Sequence, residues 1–386
     1  MIYTNPYIKH CHSSAFSVLL NNFSKEHDKY QLIHSLIQYP RWQKNIDLLG
    51  YVQDLDSLRN NPNTYFVFDA STEGFSPFDN FFFDNLYYSC RINNVDPQKI
   101  IFVSANMLDE ENIKTFNKNN KIQRSIKVFC FLSFRKAMQD LIQIEFGSKF
   151  DHNAALAHFK NRTKKEFDGK YGLSLSRVNR EQRTLANYLL YEKDLYPKFS
   201  VSQNKINSNE QYSLQKKFDL SENTFSSWCK TLPLTIDSED FSINHALRLN
   251  SHLHTQTLFQ IVNETHVDSF KGASLFYSEK TFRSIAHMQP FLIFGQPGCN
   301  SRLEDFGFKL YRDLFDYSFD SIQDTKKRYE AILDTLQDAV DTLDKMTREK
   351  QIKWRFRQKE ILKHNYRLLM DTNLERKKFR RLIKSL

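Results

Sequence analysis

The chain has 386 residues, 40% of them hydrophobic, with 34 Phe, 18 Tyr and a formal net charge of +10 at pH 7. That length gives room for two or three domains that each bury a core of their own. Only 9 Gly and 9 Pro exclude a loop-rich all-β chain and a disordered one.

Residues 1–60 mix polar and apolar segments, with His34-Ser35-Leu36-Ile37 and Leu48-Leu49 suggesting short strands or helices. The pattern then sharpens. A β-rich run at 65–69 leads into a polar loop, 70–74. Helical spacing follows over 79–90, then a strand at 99–104, a helix from about Asp109 and a strand at 126–131. Strand and helix alternating in this way predict a parallel sheet with right-handed crossovers, one Rossmann-like half of a larger α/β protein.

Polar, helical residues at 139–169 read as a hinge. The second half opens with a strand at 172–176 and a helix through Leu185, Tyr188, Leu189 and Tyr191. A strand at 198–202, a polar insertion at 203–230 and a strand at 258–264 come next. In 275–298 an apolar run, Leu275-Phe276-Tyr277, precedes a helix entered at Ser278 and running from 282 to 288. A second apolar run, 291–294, leads into Gly295-Gln296-Pro297-Gly298, so the segment reads as a βαβ unit. A helix at 321–336 closes this half, and helical spacing continues from Ala331 as one long helix or a helical hairpin. Residues 345–386 hold fifteen Lys and Arg against four acids, a net +11 that leaves the other 344 residues near −1. The expected division is therefore an N-terminal Rossmann-like domain at 1–165, a second at 166–330 and a basic helical tail at 331–386.

Residues 1–20 contain no apolar core of the ~7–15 residues that a signal peptide needs, and no window approaches ~18 uninterrupted apolar residues. Cys11, Cys90, Cys130, Cys229 and Cys299 lie far apart without metal-type spacing, which fits free thiols in a reducing cytoplasm.

A helix that starts at Ser278 turns unpaired N–H groups and a positive dipole end toward an anion. Lys280 and Thr281 lie in its first turn, and Lys280 adds a mobile charge suited to phosphate. Gly295 and Gly298 allow close backbone approach or a tight turn. The plain alternative is an ordinary N-cap in a βαβ unit. Arg177 ends a strand, with Arg180 and Arg183 spaced i, i+3 behind it, a set suited to phosphate or equally to a solvated helix start. Glu264 closes a strand where a carboxylate can accept from ribose or sugar hydroxyls, or else stand in solvent. Asp54-Leu55-Asp56 has a D-x-D form but no apolar strand before it, so it reads as a surface turn. His10, His12, His252 and His254 form two H-x-H pairs, with no third ligand in phase.

The run YSEKTFRSI…QPFLIFGQPG resembles the donor-binding segment of GT-B glycosyltransferases related to family 10 fucosyltransferases and exostosins. It is also similar to bacterial and phage proteins that continue with a G-x-P-G turn and an "LGFKTF"-like segment, matched here at 304–311. The likeness covers about 173–336, more weakly 64–107. It implies a GT-B fold, two Rossmann-like domains facing a cleft. It also implies transfer of a sugar from a nucleotide-diphosphate sugar to an acceptor hydroxyl, by inversion and without a metal or cofactor. Glu279 and Lys280 would contact the donor's ribose and diphosphate. Arg177, Arg180 and Arg183 match an L-N-R-R-x-R-x-H-R pattern, which this chain leaves at Ser176, Val178 and Gln182. Glu264 matches a V-x-E-T. Glu73, in a loop after the N-terminal strand, takes the place of the base that deprotonates the acceptor, with a turn residue as the alternative. For the basic tail, nucleic-acid contact, docking on an anionic inner-membrane surface, or packing on the body or on a second subunit all stay open.

Overall fold

A computed structural model describes residues 16, 31–36, 43–52, 54–71, 81–236, 249, 251–264 and 274–385. In chain order the first elements are β1 (Gln31–Leu36), α1 (Leu55–Asn60), β2 (Thr64–Ala70), α2 (Phe82–Ile92), β3 (Ile100–Ser104), α3 (Asp109–Asn119), β4 (Lys127–Cys130) and α4 (Ser133–Phe146). Next come α5 (His152–Glu166), β5 (Gly172–Ser176), α6 (Glu181–Glu192), β6 (Phe199–Gln203), α7 (Ser208–Phe218), α8 (Glu222–Cys229), α9 (Ser251–Gln256) and β7 (Phe259–Asn263). The last are α10 (Glu279–Ala286), β8 (Phe291–Phe294), α11 (Cys299–Asp305), α12 (Thr325–Asp344), α13 (Arg348–Phe356), α14 (Lys359–Met370) and α15 (Leu374–Lys384).

These elements form two compact units. The first takes Met1–Lys136, Ser269–Tyr277 and Thr372–Leu386, and the second Ala137–Asp268 and Ser278–Asp371. Each is built on a parallel four-stranded sheet, the α/β architecture of two Rossmann-like halves that the strand-helix alternation predicts. The grouping departs from the expected divisions at 1–165, 166–330 and 331–386. Residues 137–165 belong with the second unit, and the expected tail is shared, to 371 in the second unit and beyond in the first.

In the first unit the strands run in the order β1-β2-β3-β4. All seven residues of β2 and all five of β3 are buried, as central parallel strands require. The period of two sorts their side chains. Phe66, Phe68 and Phe102 join Phe82, Phe83 and Phe116 on one face. Tyr65, Val67, Ile101 and Val103 join Phe129 and Phe131 on the other. That second face is sealed by Phe379 and Ile383 of α15, one turn apart, with Phe379 stacked edge-on to Phe16 at 5.3 Å and to Phe129 at 5.2 Å. Buried Arg135 holds Glu375, at the start of α15, through both carboxylate oxygens, with its Nε 2.6 Å from Oε1. The C-terminal helix is thus part of a core, although six of its eleven residues are basic.

Buried Asp109 organises the turn after β3. Its Oδ1 accepts from the amides of Asn106 (2.7 Å) and Asn112 (2.8 Å), and Oδ2 lies 2.5 Å from Ser104 Oγ. Burial pushes its carboxyl up to about 8, against the pull of those hydrogen bonds. A raised folded-state value means the neutral acid is favoured in the fold, so stability falls as pH rises from about 4 to about 8. Asp109→Asn keeps the acceptor and puts an N–H donor beside Ser104. Urea melts are expected to show the variant gaining on wild type as pH rises through that window, by up to ~1.4 kcal/mol per pH unit. A gap that stays constant with pH would overturn this.

Two readings of the sequence change here. The apolar run at 275–277 is not a strand. Leu275 donates to Asn106 Oδ1 at 2.8 Å and accepts from Met107 N–H at 2.8 Å, so its backbone pairs with a loop of the first unit. The polar insertion at 203–230 folds as α7 and α8, the first opened by a reciprocal Asn207–Glu210 capping box.

In the second unit, two buried imidazoles, His254 and His287, stack with centroids 3.9 Å apart. Burial drives His254 down to about 3, despite its bond to Gln289, and His287 well below its ordinary value. Both rings are neutral in the fold, and unfolded histidine titrates near 6.5. Their share of stability is therefore intact above that pH and lost as pH falls toward 3, at up to ~1.4 kcal/mol per unit for each ring. His254→Phe is expected to flatten the fall in urea midpoint between pH 6.5 and 4.5; an unchanged slope would contradict the assignment.

Candidate functional site

The second sheet has the order β6-β5-β7-β8. From β5 the chain moves to β6 on one side and then to β7 on the other, so the strand order reverses between β5 and β7. In open parallel sheets that reversal opens a crevice at the carboxyl ends of the strands. The described strands of the first sheet run β1 to β4 in sequence order, with no reversal. All strands of the second sheet are parallel, so Arg177 after β5, Glu264 after β7 and Gly295 after β8 stand at one edge.

Glu264 is the centre of that edge and is 1% exposed. Its Oε1 accepts from the backbone N–H of Ser278 at 3.1 Å and from the Thr281 hydroxyl at 2.7 Å, tying the end of β7 to the start of α10. Its Oε2 is buried and has no hydrogen-bond partner among the described residues. Next to it, Asn263 donates to Ser174 Oγ (2.9 Å) and Ser176 Oγ (2.7 Å), which leaves Asn263 Oδ1 buried and also without a donor. Two adjacent buried acceptors facing no donor are uncommon in a folded interior.

Ser278 is the N-cap of α10, with extended backbone and its hydroxyl 3.4 Å from the N–H of Lys280. Lys280 Nζ pairs with Glu279 Oε1 at 2.7 Å, and both side chains are largely buried. Burial pushes the Glu279 carboxyl up, but Lys280 beside it and the Arg283 guanidinium more than reverse this, holding it below its ordinary value. The start of α10, for which the sequence left an anion site and an ordinary N-cap open, is met by the protein's own carboxylate.

Arg183 lies in the first turn of α6 and is 6% exposed. Burial and the neighbouring Arg180 lower its pKa, while Glu264 and Glu279 oppose that shift, which places the guanidinium within electrostatic reach of both carboxylates. Arg180 is the exposed N-cap residue of α6, and Arg177 stands half-buried one residue beyond β5. Thus Arg183, Glu264, Ser278, Glu279, Lys280 and Thr281 gather at one edge, with Arg180 beside Arg183.

Gly295 has a packing reason. A Cβ there would meet Cys299 Sγ and Ile293 Cγ2 at 3.1 Å, and its carbonyl accepts from Arg328 Nε at 3.1 Å. Gly298 adopts φ +78 to open α11. The Asp320 carboxylate takes the N–H groups of Asn300 (3.0 Å) and Ser301 (2.8 Å) at that helix start, so this turn is satisfied internally.

Glu73, the expected base, lies outside the described residues, as do His10 and His12. Asp54 caps α1 by accepting from Ser57 N–H, so the D-x-D segment opens a helix where a surface turn was expected. His254 turns into the core against His287. Reading the sequence missed the buried amides behind the edge, Asn187, Gln203 and Asn263. The available signal was Ser174 and Ser176 alternating in β5, an odd choice for a strand buried on both faces.

Among solved structures the chain is similar to the N-terminal domain of trehalose-6-phosphate phosphatase from Candida albicans, at 11% identity over 98% of this chain and 78% of that one, with a TM-score of 0.45. It is similar to a glycosyltransferase from Rickettsia africae ESF-5 at 11% identity, 98% and 85% coverage and a TM-score of 0.46. A UDP-forming α,α-trehalose-phosphate synthase from Burkholderia vietnamiensis gives 11% identity, 96% and 76% coverage and a TM-score of 0.43. At such scores these likenesses decide nothing about activity, and the fold rests on the strand orders given above. No protein-family model and no curated protein matches the chain.

Proposed function

We propose that the carboxyl edge of the second sheet binds a nucleotide-diphosphate sugar and that the chain is a GT-B glycosyltransferase that passes the sugar to an acceptor hydroxyl. The observation that carries this reading is the buried Oε2 of Glu264, without a hydrogen-bond partner among the described residues and within electrostatic reach of the buried Arg183, at the point where strand order reverses. A diphosphate ester of a polyol has the matching chemistry: hydroxyl donors for Glu264 and Asn263, and an anionic bridge for Arg177, Arg180, Arg183 and Lys280. In the transfer, the acceptor oxygen attacks the anomeric carbon as the bond from that carbon to the diphosphate oxygen breaks. The bonding pair leaves with the diphosphate, and the acceptor proton goes to a base. The cations stabilise the charge that builds on the departing oxygen. Inversion, the donor's fucosyl-like character and Glu73 as base enter from the sequence resemblance alone.

The basic C-terminal segment gives less support to nucleic-acid binding than its composition suggests. Trp354, Phe356, Tyr366 and Phe379, the aromatics that would stack on bases, are all buried. What faces outward on α15 is a cationic stripe that includes Lys377, Arg381 and Lys384, open to an anionic surface or to a second subunit. No helix among the described residues is long and apolar enough to cross a membrane.

Thermal-shift screening against a panel of nucleotide sugars tests the proposal. A ligand at 100-fold its dissociation constant adds about 2.7 kcal/mol. Stabilisation by at least one donor is expected; a panel that leaves the melt unmoved at millimolar concentration would count against it.

A further inference from the structure

The loop between β5 and α6 carries Arg177 and Arg180. Behind it runs a chain of buried amides and hydroxyls that crosses three strands. Asn263 of β7 donates to Ser174 Oγ at 2.9 Å, and Ser174 donates to Asn187 Oδ1 at 2.8 Å. Asn187 donates to Gln203 Oε1 at 2.8 Å, and Gln203 donates to Asn179 Oδ1 at 2.6 Å. Asn179, in the arginine loop, completes the chain by donating to the carbonyl of Lys205 at 2.6 Å. Ser174, Asn187 and Gln203 are fully buried, and Asn263 is 2% exposed.

Every bond in this chain points the same way, from the end of β7 toward the loop. Each side-chain amide uses its oxygen on one side and its nitrogen on the other, except Asn263, whose oxygen has no hydrogen-bond partner among the described residues. Turning over Asn187, Gln203 or Asn179 would set oxygen against oxygen or nitrogen against nitrogen at the next link, so these three orientations are mutually enforced. Gln203 is itself anchored, its backbone exchanging both hydrogen bonds with Leu234 at 2.9 and 2.8 Å. The fixed end of the chain is therefore the sheet, and the end it positions is Asn179.

We propose that Gln203 and Asn187 are positioning residues that hold Asn179, and through it the Arg177–Arg180 loop, in the arrangement that meets a diphosphate. This rests on the reading of the site as a sugar-nucleotide edge. The chain also couples the two halves of that site, because Asn263 adjoins Glu264. A ligand hydroxyl donating to Asn263 Oδ1 would complete its hydrogen bonding at the far end from the arginines.

The test uses the full chain and inorganic pyrophosphate as the probe, followed by calorimetry and by limited trypsin cleavage after Arg177 and Arg180. Asn179→Ala sits in a half-buried loop and is expected to melt within a few degrees of wild type. Its pyrophosphate Kd should rise about tenfold, the loss of one charge-orienting hydrogen bond, and trypsin should cut the loop faster. Gln203→Met, which keeps the volume and removes the donor, should behave in the same way. Wild-type affinity in both variants would overturn the positioning role while leaving the site reading in place, and so would faster cleavage without a change in Kd. A wild-type chain that does not bind pyrophosphate at all would remove the site reading, and this proposal with it.

Discussion

Arg183→Ala is expected to weaken binding of a nucleoside diphosphate or its sugar ester by about a hundredfold, the largest functional effect of any single change at the edge. The guanidinium is 6% exposed, so it meets its ligand in a desolvated setting where a charge-assisted bond is worth about 1.5–3 kcal/mol. It also offsets Glu264 and Glu279, the two carboxylates whose fields reach it. Without it, Glu264 loses a cation that its field reaches, while Glu279 keeps Lys280 and Arg283, so repulsion between Glu264 and a diphosphate adds to the lost contact. Titration calorimetry of wild type and variant measures the ratio. Arg183→Lys is expected to recover only part of the affinity, because an ammonium lacks the planar fork. An Arg183→Ala variant that binds within threefold of wild type would show that the phosphates lie elsewhere.

Arg355→Met is expected to cost on the order of 4 kcal/mol of stability, among the largest single-site losses in the second unit. Arg355 is wholly buried, and its guanidinium donates to the carbonyls of His254 (2.5 Å), Thr257 (2.7 Å), His287 (2.7 Å) and Met288 (3.4 Å). These carbonyls close the C-terminal ends of α9 and α10, where unpaired acceptors and the negative dipole end accumulate. Burial lowers the guanidinium to about 9, still above neutral pH, so the charge stays in place. Methionine fills the volume and leaves those carbonyls without a donor. Equilibrium urea unfolding gives the loss, and a variant within 1 kcal/mol of wild type would mean that water takes over the clamp.

Arg355 also shows what the sequence could not convey about the basic segment. Composition marks fifteen cations after residue 344 but not their direction. One of them clamps helix ends inside the second unit, while the single acid of α15 is buried against Arg135. Those pairings link positions 240 residues apart or meet main-chain carbonyls, and no local pattern encodes them. The strands were legible because central parallel strands are short, apolar runs bounded by polar turns. Residues 65–69 and 291–294 show that habit, and each lies on a strand. The run at 275–277 has the same composition, yet it is buried as irregular chain whose hydrogen bonds go to Asn106 and Met107. Burial, not strand pairing, made it apolar. At the edge, spacing pointed to Glu264, Ser278 and Lys280 and left the helix start open between an anionic ligand and a plain N-cap. Tertiary contact gives the Ser278 N–H to Glu264, and only the fold brings Arg183 within electrostatic reach of that carboxylate.

The most direct test is a crystal structure of the full chain with a nucleoside diphosphate. The diphosphate is expected on Arg183, with a ligand hydroxyl within hydrogen-bond distance of Glu264 Oε2. Density for the nucleotide away from the carboxyl ends of β5 and β7 would contradict it.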